Sequence, residues 1–519
     1  MKKSILSAKR RRTQVLLFFV LEGFFVYNFM DGGSILKLTT ELEKRIDRWV
    51  DEHIERLAED TCKLIRIESV SDKTSDVKPF GQGCRDALAK YIELGEAYGL
   101  KAHNYENYVA KLFVPENRGK AKQIGLMGHL DVVPAGENWI YPPYKGIIKG
   151  DWIIGRGSQD NKGPCLAAMY AVLCLRDLGI DLQYDVCALA GADEEAGMAD
   201  AEYYARQPDI PDLILVTDSG FPICYGERGI ARGWLKSRRR LSENIVDLHG
   251  GSAVNQIPDT AEIALRMTPS LKERWKAAPS LEARQAGETL VVTGRGRAGH
   301  IASSRETENA VGVLLRTVLE AGLLEDPADA EILSAAEKMI SSRCGEVFRL
   351  SDAAEAQDVR CGCGIAGLED DALKFSFNLR CPVSLDERRV LDQVVRYGEQ
   401  AGFEPVEAGV LPSNYFPKER PVIQILNRVF NAVTGLALEP QVFAAGTHAR
   451  KLPNAVAYGP GIPEPSYYPG KEALFPQGHG DCHMPDEAQS IPALKEALRI
   501  YIRGVIALDG EVLTKGEAT

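Results

Sequence analysis

Histidine and carboxylate residues follow several strand-like segments of this sequence, and these residue types could bind metal ions. His129 comes just after an apolar segment at residues 123–127, and Asp218 comes just after residues 213–216. Glu194 and Glu195 follow a third such segment, at residues 184–190. Because ligands bind beyond the carboxyl ends of strands in open α/β sheets, we expect these side chains to meet at one edge of a sheet.

A glycine-flanked turn at residues 155–163 is expected to bring another carboxylate, Asp160, to the same edge. Imidazole nitrogens and carboxylate oxygens suit zinc, manganese or cobalt. A carboxylate can also bridge two metal ions, which together bind a water molecule and polarise a carbonyl group. Each of these short patterns alone is more often structural, and it is their joint arrangement that indicates a two-metal hydrolytic site.

A hydrolytic site of this kind also needs a base that accepts a proton from the water molecule. In the Glu194–Glu195 pair, one carboxylate can bind metal while its neighbour stays free. Asp131 stands two residues after His129, so the two side chains point the same way if the segment is extended. Asp131 is therefore well placed to hold the second ring nitrogen of His129.

The elements that must position these residues alternate between helices and strands. Apolar residues recur at helical spacing over residues 36–67, and a further helix is predicted for residues 164–178. The strand-like segments lie between and after these helices. This alternation predicts an α/β fold with a mixed, largely parallel sheet and helices on both faces.

The pattern changes after about residue 233, where Glu- and Arg-rich helices accompany β-like segments at residues 289–293 and 374–378. Helices return at residues 422–433 and 490–508, the second with Ser490 as its cap and Pro492 in its first turn. We therefore predict a catalytic domain in two parts, residues 34–232 and 419–510. An α+β domain at residues 233–418 interrupts it, and residues 511–519 form a tail.

The first 33 residues place several basic residues ahead of an apolar stretch at residues 15–30, an order that resembles a signal peptide or a short membrane anchor. Three features count against a signal peptide or an anchor. The stretch contains Glu22, it is shorter than the ~20 residues that a membrane-spanning helix needs, and no small-residue cleavage site follows it. We favour a disordered leader, or an artefact of start-site choice with translation beginning at Met30. The anchor and the signal peptide stay open as alternatives.

Composition narrows the class of protein and its partners. The chain has 519 residues, of which 45% are hydrophobic and 26% charged, as in soluble globular proteins. Its net charge of -11 argues against sequence-independent nucleic-acid binding, which needs a basic face. The 11 cysteines show no regular pairing, which predicts reduced thiols, a cytoplasmic location and no structural zinc at Cys361 and Cys363.

Five motifs, in a fixed order, carry a resemblance to a known family. They are GHLDVVPAG, GRGSQDNKG, GADEEAG, VTDSGFP and GHGDCHMPDE. Their order and spacing resemble the di-metal (zinc) exopeptidase family that includes peptidase V, carnosinase, aminoacylase and succinyl-diaminopimelate desuccinylase. The likeness covers about residues 36–508 and is strongest to the peptidase V branch of bacterial dipeptidases.

The resemblance implies a role for each residue of the centre. One metal ion is bound by His129 and Asp218, the other by Glu195 and His483, and Asp160 bridges both; Glu194 is the general base and Asp131 supports His129. The last motif also contains His479, and the family pattern favours His483 as the ligand. The implied cofactors are two divalent metal ions, zinc first, with manganese or cobalt as alternatives.

The inserted domain resembles the family's lid. The resemblance rests on Gly299–His300, followed by Glu308–Asn309. It implies that His300 stabilises the oxyanion of the tetrahedral intermediate. The sequence departs from the family at Arg305–Glu306, where relatives commonly have proline. Arg380 and Asn255 resemble residues that bind a substrate carboxylate. His448 lies in a segment that resembles one near the substrate backbone, and its role is open.

The implied activity is metal-dependent hydrolysis of dipeptides by water activated between the two metal ions. Two alternatives stay open. One is an N-acyl amino-acid deacylase with the same metal chemistry, and the other is a non-catalytic metal-binding or membrane-anchored scaffold. The size of the insertion resembles that of peptidase V, which implies a monomer with His300 acting on its own chain. The expected partner is a small peptide substrate, without nucleic acid or membrane.

Overall fold

The structure is a computed structural model that describes residues 38–115, 119–278, 280–350 and 359–509. The predicted leader at residues 1–33 and the tail at residues 511–519 lie outside this part of the chain. Within it, no helix is both long and apolar enough to span a membrane.

The helices of the described residues are α1 (Thr40–Ile65), α2 (Gln82–Ala97), α3 (Gly163–Asp177), α4 (Ala199–Tyr204), α5 (Pro269–Ala277), α6 (Ala310–Glu320), α7 (Pro327–Ile340), α8 (Glu387–Gln400), α9 (Pro421–Thr434), α10 (Lys471–Leu474) and α11 (Ile491–Ala507). The strands of the first catalytic segment are β1 (Lys101–Tyr105), β2 (Val109–Phe113), β3 (Gln123–His129), β4 (Ile147–Lys149), β5 (Trp152–Ile154), β6 (Asp185–Gly191), β7 (Leu213–Val216), β8 (Ser219–Gly220) and β9 (Cys224–Glu227). The later strands are β10 (Gly229–Ser237), β11 (Ile245–Gly250), β12 (Gln256–Ile257), β13 (Thr260–Arg266), β14 (Ala283–Ala286), β15 (Thr289–Arg295), β16 (Gly299–His300), β17 (Arg360–Gly362), β18 (Ala366–Glu369), β19 (Ala372–Cys381), β20 (Phe403–Leu411), β21 (Asn414–Tyr415), β22 (Gln441–Phe443), β23 (Ala455–Ala457), β24 (Pro460–Gly461) and β25 (Ala488–Ser490).

A six-stranded sheet in the order β1-β2-β6-β3-β7-β23 forms the centre of the catalytic domain. The pairs among β6, β3, β7 and β23 are parallel, whereas β1 and β2 join antiparallel at one edge. Every residue of β6 and of β7 is buried, as expected for parallel strands covered on both faces. The predicted mixed, largely parallel α/β fold is confirmed.

Helices cover both faces of this sheet. On one face α1, α3, α9 and α11 pack with β3 and β6 in a single apolar cluster. α3 is buried on all sides from Gly163 to Leu175, because its sequence has no charged residue before Arg176. On the other face, Met127, Leu189 and Ile214 pack with α4 in a second cluster. The last helix begins as predicted, with the Ser490 side chain accepting the N–H of Ala493.

A second sheet and a separate apolar cluster form within the inserted segment. Eight of its strands run in the order β14-β15-β13-β11-β18-β19-β10-β20, and β17 pairs beside β19. The helices α6 and α8 pack on this sheet, α7 packs against α6, and all three contribute to one apolar cluster. The sheet begins at Gly229, which pairs with Cys381 in β19, slightly before the boundary expected from sequence. We call this α+β unit the lid domain.

Candidate metal centre and substrate cleft

The carboxyl ends of β3, β6 and β7 lie side by side and bring predicted residues together. β3 runs parallel between β6 and β7, with His129 opposite Gly191. At the end of β3, His129 Nε2 lies 2.9 Å from Asp160 Oδ1 and 3.7 Å from Asp218 Oδ2. The expectation that these segments converge at one edge of the sheet therefore agrees with the geometry.

Asp131 supports this centre in two ways. The main-chain carbonyl oxygen of Asp131 lies 2.9 Å from His129 Nδ1, closer than its carboxylate Oδ1 at 3.4 Å. A proton on Nδ1 that is donated to this carbonyl leaves the Nε2 lone pair facing the centre. The Asp131 carboxylate accepts the N–H groups of Glu194 at 3.0 Å and of Glu195 at 2.9 Å. Asp131 therefore fixes both the imidazole and the Glu194–Glu195 turn.

Asp160 connects the two histidines of the centre. Its Oδ1 faces His129, and its Oδ2 lies 3.1 Å from Nε2 of His483. The same nitrogen of His483 lies 2.8 Å from Glu195 Oε1. One carboxylate thus faces ligand candidates on both sides, which is the arrangement that a bridging carboxylate requires.

A buried ion pair, which was not among the predicted site residues, holds the turn that carries Asp160. Oε1 of Glu487 accepts the N–H groups of Gly157, Gln159 and Asp160, each at 3.0 Å. Its Oε2 lies 2.6 Å from Nη1 of Arg156. Arg156 also donates to the main-chain carbonyl of His483 at 3.4 Å. This pair therefore links the Asp160 turn to the loop of the last motif.

Asp218 is oriented by a side chain that sequence reasoning also missed. Asn161 Nδ2 donates to Asp218 Oδ1 at 3.0 Å and to the carbonyl of Thr217 at 2.7 Å. The amide oxygen of Asn161 accepts the N–H of His129 at 3.3 Å. With one oxygen of Asp218 held by Asn161, the other is left to face His129.

The structure distinguishes the two histidines of the last motif. The side chain of His483 is 49% exposed and faces Asp160 and Glu195. His479 instead pairs with the buried Asp486, whose Oδ2 lies 2.6 Å from its Nδ1. Since Asp486 Oδ1 also accepts the N–H of Ile140 at 2.9 Å, His479 belongs to a contact that anchors the loop.

The donor set fits metal ions. Ligand atoms of His129, Asp160 and Glu195 lie within 4.8 Å of one another, as do those of His129, Glu194 and Asp218. Two atoms about 2.1 Å from a tetrahedral zinc ion are about 3.4 Å apart. The imidazole–carboxylate separations of 2.8–3.7 Å at this centre bracket that value.

Without a metal ion the charges of the centre shift the pKa values of its members strongly. Burial alone would lower the pKa of His129, but Asp218, Asp131 and Asp160 raise it well above its usual value. Hydrogen bonds to Asp160 and Glu195 raise the pKa of His483 to about 10. Burial, opposed by His483, raises the pKa of Glu195 to about 7. A cation that binds these side chains would therefore displace protons from them.

Glu194 differs from its neighbours in the centre. Burial, with the negative charge of Asp218 next in importance, raises the pKa of its carboxyl well above the usual value. Its main-chain N–H is held by Asp131, so the position of the residue is fixed without using its carboxylate. A carboxyl group in such surroundings has the properties of a general base.

His448 lies directly beneath this turn, fully buried. Its Nε2 is 3.0 Å from Asp200 Oδ2, an oxygen that also accepts the N–H of Ala192 at 2.7 Å. Burial lowers the pKa of His448, but the Asp200 charge outweighs it and raises the pKa. A Cβ on Gly191 would overlap both side chains, so glycine permits this close packing. His448 supports the Glu194 turn rather than lining the centre.

The predicted lid residues His300 and Asn255 are neighbours. β12 and β16 pair Gln256 with His300, and the carbonyl oxygen of Asn255 accepts the N–H of Ile301 at 3.0 Å. Burial and the positive charges of Arg380 and His483 lower the pKa of His300. The lid histidine therefore interacts electrostatically with the centre of its own chain.

Arg380 and Asn378 lie on one face of the lid sheet with unsatisfied polar atoms. Arg380 is 6% exposed and Asn378 is 3% exposed. Among the described residues, Nε of Arg380 and Oδ1 of Asn378 have no hydrogen-bond partner. Burial and the charges of Arg450 and Arg232 lower the pKa of Arg380 to about 10. Buried polar groups normally have partners, so the unpaired N–H of the Arg380 guanidinium indicates a site for an anionic ligand, whereas the Asn378 oxygen requires a hydrogen-bond donor.

Known proteins resemble this chain both in sequence and in fold. Over 478 residues the chain is 27% identical to a Staphylococcus aureus (strain USA300) protein named "Putative dipeptidase", covering 88% of this chain and 98% of that protein. The fold is similar to human carnosine dipeptidase 1, with a TM-score of 0.53 and 16% identity over 90% of this chain and 99% of that one.

The yeast (Saccharomyces cerevisiae) di-peptidase Dug1p is also similar in fold, with a TM-score of 0.52 and 13% identity over 91% of this chain and 99% of that one. A family model described as "Peptidase family M20/M25/M40" matches residues 125–506, which include every predicted residue of the metal centre. The resemblance carried by the five motifs is confirmed, and the chain belongs to peptidase family M20/M25/M40.

Proposed function

We propose that this member of the peptidase family is a metal-dependent dipeptidase. The observation that carries the proposal is the pair of overlapping histidine–carboxylate groups at the end of the sheet, one of which includes Glu194. The 27% identical relative, which matches almost end to end, supports dipeptides as the substrate class.

Five residues would hold two metal ions. His129 and Asp218 would bind one ion, Glu195 and His483 the other, and Asp160 both. Bound at this place, the ions would supply Lewis acidity that activates water and polarises the scissile carbonyl. Zinc is the ion we expect, although manganese and cobalt suit the same donors.

Glu194 would move the protons of the reaction. Its carboxylate accepts a proton from the attacking water and then donates it to the nitrogen of the leaving amine. The raised pKa of this half-buried carboxyl favours proton uptake. The hydrogen bonds from the N–H groups of Glu194 and Glu195 to Asp131 keep the turn in place during both transfers.

The lid would supply the remaining contacts. His300, whose pKa is lowered, is neutral at neutral pH and can donate an N–H to the oxygen that becomes negative during attack. Arg380, buried with an unpartnered Nε, would bind the C-terminal carboxylate of the peptide in a charge-assisted pair. Asn255, beside His300, would assist in binding that carboxylate. We further propose a cytoplasmic monomer in which His300 serves its own chain.

A hydrolysis panel tests this function. Dipeptides, tripeptides and N-acyl amino acids would be offered to the metal-loaded protein and to chelator-treated protein. We expect fastest turnover of dipeptides, with loss of turnover on metal removal. Faster turnover of N-acyl amino acids would replace the proposal with a deacylase, and no turnover of any substrate would favour a non-catalytic scaffold.

A further inference from the structure

A cavity of about 1020 Å³ adjoins the metal centre on the side of Asp160 and Asp218. It is formed by both parts of the catalytic domain, from Trp152 in β5 through Phe443 in β22 to the segment at residues 460–490. No lid residue lines it. The cavity therefore belongs to the catalytic domain and opens beside the place where the scissile bond would lie.

The walls of this cavity are largely apolar. Trp152, Phe443, Ile462 and Tyr468 line it, together with prolines of the segment 460–465. The two polar aromatics use polar atoms in bonds within the wall, because the Trp152 indole N–H donates to Pro469 O at 2.8 Å and the Tyr468 hydroxyl oxygen accepts the N–H of Ile462 at 3.0 Å. Apart from the Tyr468 O–H, these rings present apolar surface to the cavity.

Charged groups of the wall favour neutral or cationic over anionic occupants. Lys471 is paired with Asp481, so these two charges offset one another. The other charged side chains along the segment 464–472 are Glu464 and Glu472, which both line the cavity. An acidic side chain entering this space would meet like charges.

The cavity and the lid would contact different parts of the substrate. The cavity reaches Asp160 and Asp218 and is lined by residues of the catalytic domain, whereas Arg380 and His300 belong to the lid domain. With the C-terminal carboxylate on Arg380, the acyl side of the scissile bond is the end of the dipeptide farther from Arg380. That part carries the side chain of the N-terminal residue.

We propose that this cavity binds the side chain of the N-terminal residue and selects large apolar or aromatic side chains over small or acidic ones. This inference rests on the proposed dipeptidase function. Ligand-binding pockets are typically about 300–1,000 Å³ and mostly apolar, so this cavity has room for any natural side chain. Since each methylene group buried in an apolar pocket gives about a tenfold or larger preference, Phe-Gly should exceed Ala-Gly in kcat/KM by at least about tenfold.

The test compares kcat/KM for Ala-Gly, Leu-Gly, Phe-Gly and Glu-Gly, with one C-terminal residue held constant. The expected order is Phe-Gly and Leu-Gly above Ala-Gly, and Ala-Gly above Glu-Gly. Ala473→Trp places an indole on the exposed cavity-lining helix α10 and should lower the Phe-Gly to Ala-Gly ratio severalfold. The same substitution at Ala286, exposed on the distant edge of the lid sheet, should leave the ratio unchanged.

Phe443→Ala provides a second variant that removes an aromatic wall instead of filling the space, and it should also reduce the ratio. Equal rates for the four dipeptides, or an unchanged ratio in both cavity variants, would overturn the inference while leaving the dipeptidase function intact. Absence of turnover for all four dipeptides, with active N-acyl substrates, would instead contradict the proposed function.

Discussion

Replacing Glu487 with glutamine should lower the free energy of unfolding of the catalytic domain by about 3–5 kcal/mol. The carboxylate is 0% exposed and lies 2.6 Å from the guanidinium of Arg156, which is 1% exposed. Glutamine has nearly the same volume, and its amide oxygen can still accept the three N–H groups of the Asp160 turn. The change therefore removes a charge and little packing, and the cost is that of Arg156 buried without its counter-charge.

An exposed pair in the lid provides the matched control for this prediction. Glu282 Oε1 lies 2.9 Å from Arg295 Nη2, but the two side chains are 55% and 61% exposed. Glu282→Gln should cost less than about 1 kcal/mol, because water already solvates both charges. Urea unfolding followed by circular dichroism measures both variants. Equal losses in the two variants would show that burial does not make loss of the Arg156 pair more costly than loss of an exposed pair.

The same substitution should also weaken metal binding. The neutral amide oxygen of glutamine holds the N–H groups of the Asp160 turn less strongly than a carboxylate does. Arg156, which contacts the loop of His483, loses its charged partner, so both sides of the centre are held less firmly. Loss of such supporting contacts typically costs 10–100-fold in metal affinity, and we expect about that range in competition with a chromogenic chelator. Wild-type metal affinity in a destabilised Glu487→Gln protein would show that the pair stabilises the fold without positioning the ligands.

Four further outcomes follow from the structure. His300→Ala should lower kcat about 10²–10³-fold while metal content stays unchanged, because one oxyanion donor is lost; loss of metal would make His300 a ligand instead. Arg380→Met should raise KM for dipeptides and remove their advantage over dipeptide amides, measured by steady-state kinetics; a retained advantage would place the carboxylate elsewhere. Metal binding at pH 7.5 should release more than one proton, since the pKa of His483 is raised to about 10 and that of His129 is also raised. Histidines are protonated below their pKa, so the apparent metal affinity should rise with pH. Calorimetry in buffers of different ionisation enthalpy measures the number of protons released, and a value of zero would contradict this prediction. Gly191→Ala should lower the urea midpoint, because a Cβ would overlap Asp200 and His448, whereas Gly409→Ala, which has open space, should not.

Sequence reasoning predicted the parts of the site that depend on strand order. His129, Glu194 and Asp218 each follow an apolar strand, and parallel pairing of β3, β6 and β7 requires their ends to meet. The motifs also favoured His483 over His479, and the contacts with Asp160 and Glu195 agree with that preference. Local apolar periodicity and capping were sufficient to predict α1, α3 and α11.

The supporting contacts could not be predicted in the same way, because they join residues far apart in the chain. Arg156 and Glu487 are both within the recognised motifs, but nothing local shows that their charges are buried against one another. The pairing of Asp200 with His448 likewise depends on the close approach at Gly191. The expected contact of the Asp131 carboxylate with His129 was only part of its role, since main-chain geometry decides which oxygen lies closer.

The substitution Glu194→Gln tests whether Glu194 is the base of a metal-dependent hydrolysis, because it separates metal binding from proton transfer. Metal content by elemental analysis and hydrolysis of a dipeptide would be measured on the same preparations of the wild type and the variant. We expect two metal ions per chain in both proteins, and turnover in the wild type alone. Wild-type turnover by Glu194→Gln would show that Glu194 is not the base, and turnover by wild-type protein stripped of its metal would exclude the metal-dependent mechanism.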